Sequence, residues 1–260
     1  MSGESTLVGV QARARAAGPA AIRQGATWVD TNARPIIAMF ALVAAVLRLP
    51  YVWTGLSTDE GGYAYIARQW SHGAHLYDGA WLDRPQGLLV TYRVLLALGE
   101  SGWAIRGLVV AIGAVMTLLV ASIGGLIGGR RLAVAAGGLY AIVGVAPHIE
   151  GFTLNGELLA TVPAAAAVAA ALVWRRNTLM ADRSTASVAA GGSGSRRTLA
   201  SRRTVASRRT VASRRTAASR WTSASRWSRV SWLVAAGLCA GVALTMKQSG
   251  FDGVVVGLVI

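Results

Sequence analysis

Residues 58–86, TDEGGYAYIARQWSHGAHLYDGAWLDRPQ, hold most of the reactive side chains that lie between the apolar segments of this chain. The stretch opens with two adjacent carboxylates, Asp59 and Glu60. Apolar and aromatic residues then recur at spacings of three and four, at Tyr63, Ile66, Ala67 and Trp70. This spacing predicts a short helix with those side chains on one side. We expect that helix to lie at a membrane interface, where Tyr and Trp are enriched.

The composition of the chain is typical of a membrane protein. Of its 260 residues, 53% are hydrophobic and 14% are charged, whereas soluble domains carry about 25% charged residues. Several apolar runs approach the roughly 20 residues that a helix needs to cross a bilayer. The sequence therefore predicts an all-α fold, a polytopic transmembrane helical bundle whose outer loop carries short interfacial helices.

The formal net charge of +15 is concentrated in one segment, since residues 175–229 hold 14 of the 26 Lys and Arg residues. Basic loops are retained on the cytoplasmic side of membranes, so this segment is predicted to be cytoplasmic, and no nucleic-acid partner is expected. Its main feature is a six-residue repeat: SRRTLA, SRRTVA, SRRTVA, SRRTAA, SRWTSA and SRWSRV. The repeat is typical of a disordered low-complexity loop, and binding to anionic lipid headgroups is the alternative.

Apolar runs and basic flanks together predict a multi-pass protein of the cell membrane. The predicted domains are a cytoplasmic tail at 1–34, a transmembrane core at 35–174 with outer loops at 54–103 and 148–157, the cytoplasmic Arg-rich repeat loop at 175–229, and further, truncated transmembrane helices at 230–260. One crossing from the tail places the Asp59 loop on the outer face. Ten apolar residues cannot cross a bilayer, so the run that begins at Phe251 predicts the N-terminal part of a longer protein.

Two segments of the predicted core carry an arginine in apolar surroundings. Arg48 lies near the outer end of the first span, 35–53, where we expect it to snorkel to the interface or to pair with a loop carboxylate. Residues 87–98 contain Arg93 and are too short for a full span. They therefore predict a helix that is embedded in the membrane without crossing it.

A second outer loop follows a predicted pair of crossings. The apolar run at 104–129 ends in two arginines, which are expected in the cytoplasm, and residues 132–147 return to the outer face. The loop that follows carries Glu150 and Glu157, on the same predicted side as Asp59. If the carboxylates of two loops converge on one pocket, they indicate a functional site more strongly than either loop alone.

The charged residues of the first outer loop have chemical and structural interpretations. Asp59 and Glu60 could supply a general base for an acceptor hydroxyl, or a ligand for a metal that bridges a phosphate. The structural alternative is an ordinary helix start, with Thr58 as N-cap and acidic residues in the first turn. Arg84 could grip a phosphate through its guanidinium, or form an exposed ion pair with Asp83.

Two charged residues further along the chain have the same double interpretation. Glu157 could be a second carboxylate of the site, or could cap the helix that follows it. Lys247, at the outer end of a later span, could bind phosphate or snorkel to the interface.

Together these residues resemble membrane glycosyltransferases of the GT-C type, and most closely the group of dolichyl-phosphate-mannose protein mannosyltransferases and bacterial lipid A aminoarabinose transferases. The residues that carry the resemblance are Asp59-Glu60, Tyr63, Ala67, Gly73, Leu76-Tyr77, Asp83-Arg84-Pro85-Gln86, Ile105-Arg106, Asn155-Gly156-Glu157-Leu158-Leu159 and Lys247-Gln248. Two features depart from that family. Arg-Pro-Gln stands where the family has Lys-Pro-Pro, and the family's C-terminal half has no counterpart in this sequence.

The resemblance implies transfer of a sugar from a polyprenyl-phosphate donor to a hydroxyl of a protein, glycan or lipid acceptor, with inversion, among membrane lipids at the outer face. Asp59 would be the catalytic base. The substrate-binding residues would be Glu60, Asp83, Arg84, Glu157 and Lys247, with the two cations neutralising the phosphate that leaves. Under the resemblance, Glu60 and Asp83 would shape the site or bind a divalent metal ion. Some members of the family use such an ion and others do not, so the cofactor stays open.

Two other classes fit parts of the sequence. A membrane transporter or flippase-like protein would line its pathway with Arg48, Arg93 and Lys247, although the spans carry no duplicated pattern of the kind on which transporters are often built. The other alternative is an inactive, truncated fragment of the glycosyltransferase, since the last apolar run is short.

Overall fold

The computed structural model describes residues 27–76, 78, 84–99, 102–146, 149–194 and 230–246. The helices are α1 (Thr27–Trp53), α2 (Thr58–Ser71), α3 (Gln86–Leu98), α4 (Trp103–Val143), α5 (Gly156–Gly194) and α6 (Val230–Met246). Three segments are long and apolar enough to cross a membrane, namely α1, α4 and Gly156–Ser184 within α5. The predicted all-α fold is confirmed for the described residues.

The chain forms two compact units. The first consists of Met1–Leu82 with Leu89–Leu158, and the second of Asp83–Leu88 with Leu159–Ile260. The first unit thus contains α1, α2, most of α3 and α4, and the second contains most of α5 and all of α6.

In the first unit, α1 is longer than the predicted span at 35–53, because the helix already begins at Thr27. Its last turn, Leu49–Trp53, is a 3-10 helix with Pro50 near its start. Proline is tolerated in a first turn, where its missing N–H would have no helical partner. The backbone becomes extended at Thr54, and this change ends the helix before the loop that leads to α2.

α4 is a pair of antiparallel helices, joined where Gly128 and Gly129 leave helical geometry. Gly129 has a φ of 78°, which glycine adopts at little cost. Residues equally distant from this turn lie side by side: a Cβ on Gly124 would meet the Leu132 carbonyl at 2.9 Å, and one on Gly137 would meet the Ala121 Cβ at 3.0 Å. In a continuous helix, residues eight apart would be about 12 Å apart. The two halves correspond to the predicted run at 104–129 and its predicted return at 132–147.

The α4 turn lies beside the beginning of α1. Arg131 Nη2 is 2.9 Å from Asp30 Oδ2, and Arg130 Nη1 donates to the Asp30 carbonyl at 2.8 Å. The 3-10 turn of α1, the start of α4 and the loop at 149–155 form the opposite end of the first unit. The basic turn and the acidic loops are therefore at different ends of this unit, as the sequence predicts.

Arg48 is buried between α1 and the chain that follows α4, with only 1% of its surface exposed. Its guanidinium donates to the carbonyls of Ala44 at 2.9 Å, Gly144 at 2.5 Å and Gly151 at 2.8 Å. The prediction that Arg48 snorkels or pairs with a loop carboxylate is wrong. Carbonyl groups at a helix end need hydrogen-bond donors, and the buried guanidinium of Arg48 supplies three of them.

The helix predicted at 87–98 is confirmed as α3. It has two distinct faces. Its 13 residues are about 20 Å long, which is less than the roughly 30 Å thickness of a bilayer core. The buried face consists of Leu88, Leu89, Tyr92 and Leu95. The other face is exposed although it is apolar, and it includes Val94 and Leu98.

In the second unit, α5 and α6 bury alanines. The buried residues are Ala160, Ala167, Ala170 and Ala171 in α5, and Ala236, Ala240 and Ala243 in α6. α5 continues to Gly194, well beyond the end that the sequence predicts at Trp174, because Ala, Leu, Met and Arg, which follow that point, favour helix. The predicted tail at 1–26 and the repeat at 195–229 lie outside the described residues.

Large apolar side chains are exposed along the long helices. Leu42 in α1 is 64% exposed, Ile127 in α4 is 67% exposed, and Leu139 is 66% exposed. Extended exposed apolar surface marks a site of contact with a membrane or with another protein, and these helices are long enough to cross a bilayer. The three apolar helices indicate a membrane-associated protein.

Candidate active site

The candidate site is built around the first turn of α2, where a capping box fixes the backbone. The Ser57 hydroxyl accepts from the Glu60 N–H at 3.3 Å, and Glu60 Oε2 accepts from the Ser57 N–H at 2.8 Å. The N-cap is therefore Ser57 and not the predicted Thr58. The pattern Ser-x-x-Glu is the sequence signature of this motif, and it places Asp59 between two fixed residues.

Glu60 is buried and forms an ion pair with Arg106 from the first turn of α4. Arg106 Nη2 lies 2.8 Å from Glu60 Oε2, and the two side chains are 4% and 1% exposed. The other carboxylate oxygen of Glu60, Oε1, accepts from the Leu154 N–H at 2.7 Å. Both oxygens of Glu60 are thus engaged, and one carboxylate joins α2, α4 and the second loop.

Arg106 extends this network to two carbonyl groups. Nη1 donates to the Phe152 carbonyl at 2.6 Å, and Nη2 donates to the Gly55 carbonyl at 2.7 Å. These carbonyls belong to the loop before α2 and the loop after α4. A planar guanidinium is suited to such a junction, because its donors point in fixed directions.

Tyr92 of α3 also contacts the loop at 149–155. Its hydroxyl donates to the Leu154 carbonyl, and its ring packs edge-on against Tyr63 with centroids 5.6 Å apart. Burial, with a further contribution from the Glu60 carboxylate, raises the pKa of the Tyr92 phenol above its ordinary value. The hydroxyl therefore remains a donor over the physiological range.

An open cavity of about 390 Å³ lies next to this network and includes Glu60 in its wall. It is lined by Ser57, Thr58, Asp59, Glu60, Glu150, Phe152, Thr153 and Asn155. Asp59 and Glu150 are exposed, whereas Glu60 is buried in the floor. The lining combines carboxylates, hydroxyls, an amide and one aromatic ring, all of which can contact a polyol.

Glu150 adopts an unusual backbone conformation at the rim of the cavity. Its φ of 50° is in the left-handed region, which costs a non-glycine residue about 1–2 kcal/mol. In this conformation its carbonyl accepts from the N–H of Thr153 at 3.0 Å and from its hydroxyl at 2.9 Å. Phe152 is held by stacking on Tyr51, with ring centroids 4.4 Å apart.

The structure brings together some of the predicted site residues. Asp59, Glu60 and Glu150 line one cavity, so carboxylates from the two loops that the sequence predicts on one side do converge on one pocket. Glu157 is exposed in the first turn of α5, where Asn155 accepts from the Leu158 N–H at 2.7 Å as the helix cap; it is not among the described residues of the cavity wall.

The other predicted site residues are not joined to this cavity. Arg84 is exposed, belongs to the second unit and is not among the described residues of the cavity wall. Asp83 and Lys247 lie outside the described residues. Substrate binding by Asp83 and contact of Lys247 with the phosphate remain predictions from the sequence.

Sequence reasoning missed the partner of Glu60. The sequence marks Arg106 only as part of the Ile105-Arg106 motif, whereas in the structure it forms the buried ion pair that organises the cavity. A buried position could be inferred from its place in an apolar run, but the identity of its partner could not, because the two residues are far apart in the chain. The Ser57–Glu60 capping box was a readable signal for the structural role of Glu60.

Carboxylate oxygens are the ligands that magnesium and calcium prefer, so the cavity can be compared with the needs of a divalent metal ion. Glu60 already uses both oxygens, which leaves Asp59 and Glu150. Within the described part of the chain, no three His, Cys, Asp or Glu side chains are grouped so that they could hold a metal ion. The described residues therefore do not form a complete metal site.

No family model, curated protein or solved structure matches this chain. The resemblance to GT-C glycosyltransferases thus stays a prediction from the motifs. The findings on fold do not depend on that resemblance. The described part of the chain is helical, has three helices long enough to cross a membrane, and places Asp59 and Glu150 in one cavity.

Proposed function

We propose that this chain is a membrane-embedded glycosyltransferase that moves a sugar from a polyprenyl-phosphate donor to an acceptor hydroxyl. The observation that carries the proposal is the cavity in which an exposed carboxylate, Asp59, stands next to a buried and fully engaged one, Glu60. Two adjacent carboxylates in such different surroundings are suited to different tasks.

Asp59 is the proposed general base. In the reaction, the acceptor oxygen forms a bond to the anomeric carbon while the bond from that carbon to the lipid phosphate breaks, and the hydroxyl proton passes to the Asp59 carboxylate. Attack from the side opposite the phosphate inverts the anomeric centre. A general base must be within hydrogen-bond reach of the proton that it takes, and the exposed position of Asp59 in the cavity wall meets that need.

Glu60 has a positioning role in this proposal. Because its oxygens accept from Ser57, Leu154 and Arg106, it is not available to take a proton from a substrate. It holds the first turn of α2 against the loop at 149–155, and thereby keeps the separation of Asp59 and Glu150 constant. Such preorganisation is what a catalytic carboxylate requires from its surroundings.

The remaining assignments of the proposal concern the substrates and the membrane. Arg84 and Lys247 would neutralise the phosphate that leaves, and Asp83 and Glu157 would contact substrate. The cavity would face the outer side of the cell membrane, since the basic turn of α4 is at the opposite end of the first unit. A protein, glycan or lipid could provide the acceptor hydroxyl.

The test is transfer of radiolabelled sugar from a panel of polyprenyl-phosphate sugars in membranes that contain the full chain. We expect Asp59→Asn to lower the rate by about 100-fold or more, because Asn keeps the shape of Asp59 but cannot take a proton. The matched control is Asp78→Asn, an exposed aspartate that the described cavity wall does not include; it should transfer sugar at the wild-type rate.

Equal rates for the wild type and Asp59→Asn would remove Asp59 from the role of base. Absence of transfer by the wild type from every donor would count against the glycosyltransferase itself. The transport alternative has less support, because Arg48, one of the residues that would line a pathway, is turned toward backbone carbonyls.

A further inference from the structure

A second cavity, of about 310 Å³, lies at the other end of α2 and has the opposite electrostatic character. It is lined by Arg68, Ser71, His72, Arg93, Leu96 and Ala97. Two guanidinium groups, an imidazole and a hydroxyl thus surround one space, and the described lining contains no carboxylate. The glycosyltransferase proposal does not use this cavity.

The end of α2 gives the cavity a fixed wall. The Ala74 N–H donates to the Gln69 carbonyl at 3.0 Å and the Gly73 N–H to the Trp70 carbonyl at 3.3 Å, which is the Schellman pattern of a helix end. Gly73 makes this possible with a φ of 97°. As a result, Ser71 and the C-cap residue His72 are held at the mouth of the cavity.

The opposite wall is the C-terminal half of α3, and Arg93 is oriented there by an aromatic ring. Its guanidinium carbon lies 4.6 Å from the centroid of the Trp70 ring, within the range of a cation–π interaction. A contact of this kind leaves guanidinium N–H groups that can donate hydrogen bonds to a ligand. The edge of a guanidinium matches two oxygens of a phosphate.

The surface next to the cavity is apolar and exposed. On α3, Val90 is 44% exposed, Val94 57% and Leu98 67%, and these residues are spaced by four, so they form one stripe along the helix. Leu96 and Ala97 continue the apolar surface into the cavity wall. A cationic head region beside an apolar stripe on a helix is the arrangement of an interfacial membrane contact.

We propose that this cavity binds the phosphate of an anionic membrane lipid, with the acyl chain along the exposed stripe of α3. Arg68 and Arg93 bind the phosphate oxygens, and His72 is placed to donate a further hydrogen bond, whereas the Ser71 hydroxyl already donates to the Ala67 carbonyl at 2.9 Å. The site is separate from the acidic cavity, since the two are at opposite ends of the 14-residue helix α2. Its role is to fix α2 and α3 at the level of the lipid headgroups.

The test uses the local fluorescence of Trp70, so that lipid bound by the Arg-rich repeat does not contribute. The full chain is purified in maltoside micelles and titrated with phosphatidylglycerol that carries brominated acyl chains, which quench nearby tryptophans. The difference in quenching between the wild type and Trp70→Phe isolates the signal of Trp70. We expect this difference to saturate with phosphatidylglycerol.

Charge-neutral variants then connect the signal to the cavity. Arg93→Gln should raise the half-saturation concentration about fivefold, because one basic residue near an anionic lipid contributes about 1 kcal/mol of binding free energy. Arg176→Gln, which removes an exposed arginine of α5 instead, should leave it unchanged. If Arg93→Gln does not fold, Arg68→Gln provides the same measurement, with the same expected weakening.

Two further titrations identify the source of the phosphate. Brominated phosphatidylcholine should quench Trp70 more weakly and without dependence on Arg93, and inorganic phosphate should not displace phosphatidylglycerol at equal concentration. Equal quenching by the two lipids, or no effect of either arginine variant, would overturn the proposal. Displacement by inorganic phosphate at equal concentration would overturn its lipid part.

Discussion

Two arginine–carboxylate pairs of nearly equal length are found at opposite ends of the first unit. Arg106 Nη2 is 2.8 Å from Glu60 Oε2, and Arg131 Nη2 is 2.9 Å from Asp30 Oδ2. Their surroundings differ, because the side chains of the first pair are 4% and 1% exposed and those of the second pair are 61% and 39% exposed. Distance alone therefore does not show which pair the fold depends on.

The difference lies in what each charge would meet if its partner were removed. At the exposed pair, water would solvate the charge that remains, and such pairs contribute only about 0–1 kcal/mol. At the buried pair, water is absent, and removal of one partner typically costs about 3–5 kcal/mol. The buried carboxylate also accepts two backbone N–H groups, from Ser57 and Leu154, so its loss would affect two loops.

The largest expected effect is that of Glu60→Gln. The amide keeps the size of the side chain, but it carries no charge for Arg106, and its NH₂ group would face a donor. We expect a loss of about 3–5 kcal/mol in the free energy of unfolding, measured by denaturant titration in micelles with circular dichroism. The same variant should lower the rate of sugar transfer, because the separation of Asp59 and Glu150 would no longer be kept constant.

The control for this prediction is the double variant Glu60→Gln with Arg106→Met. If the main cost is the unpaired buried charge, the double variant should be more stable than Glu60→Gln alone. Recovery would be incomplete, because the carbonyls of Phe152 and Gly55 lose their donor. A double variant less stable than both single ones would contradict the explanation.

Arg48 extends the comparison to a buried guanidinium that binds carbonyls, and Gly113 tests how tightly it is held. A Cβ on Gly113 would lie 2.7 Å from the Arg48 guanidinium carbon, and three hydrogen bonds keep that group from moving away. We expect Gly113→Ala to cost about 1–3 kcal/mol, as overpacking does, in the same unfolding measurement.

The matched variant is Gly107→Ala, one of the few substitutions on the same helix that adds a methyl group in open space. A Cβ there would have nothing within 4 Å, and alanine favours helix over glycine by about 1 kcal/mol. Gly107→Ala should therefore stabilise the protein slightly. If both variants stabilised it, Arg48 would be free to shift, and the contact at Gly113 would not constrain it.

A third prediction concerns a neutral hydrogen bond next to the buried pair. Tyr92→Phe removes the donor to the Leu154 carbonyl and should cost about 1 kcal/mol at neutral pH. Because burial raises the pKa of Tyr92 in the folded state, its contribution is complete below the unfolded pKa of about 10 and decreases as pH rises beyond it. The difference between wild type and variant should thus become smaller above about pH 10, and a difference that grows there would contradict the assignment.

Local features of the site could be predicted from sequence, whereas its long-range partners could not. The spacing of Tyr63 and Ala67 predicts α2 and its buried face, and the order of the loops predicts that Asp59 and Glu150 lie on the same side, where the structure has them in one cavity. These inferences need only the helix period and the count of crossings. The ion pair between Glu60 and Arg106 depends on how α2 packs against α4, and no local sequence pattern encodes this packing.

Arg48 shows the same limit, because the sequence predicts an interfacial position for it and the structure has it buried. An arginine near the end of an apolar run is usually expected to reach the interface, and the sequence contains nothing that overrides this expectation. The buried position follows from the end of α4 and the loop behind it, which present the carbonyls of Gly144 and Gly151 to one point. Those carbonyls belong to glycines, which have no side chain that would signal the contact.

The smallest effect is expected at the exposed pair, for Asp30→Asn. The substitution removes the charge opposite Arg131, while the Asp30 carbonyl that accepts from Arg130 belongs to the backbone and remains. We expect a change of at most about 1 kcal/mol at low salt, measured beside Glu60→Gln, which makes the same chemical change at the buried pair. At about 1 M salt, where charges more than about 3 Å apart are screened in water, the effect of Asp30→Asn should disappear, whereas that of Glu60→Gln should persist. A loss above about 2 kcal/mol that resists salt would mean that the contact between α1 and the α4 turn is shielded from water, and burial would then no longer separate the two pairs.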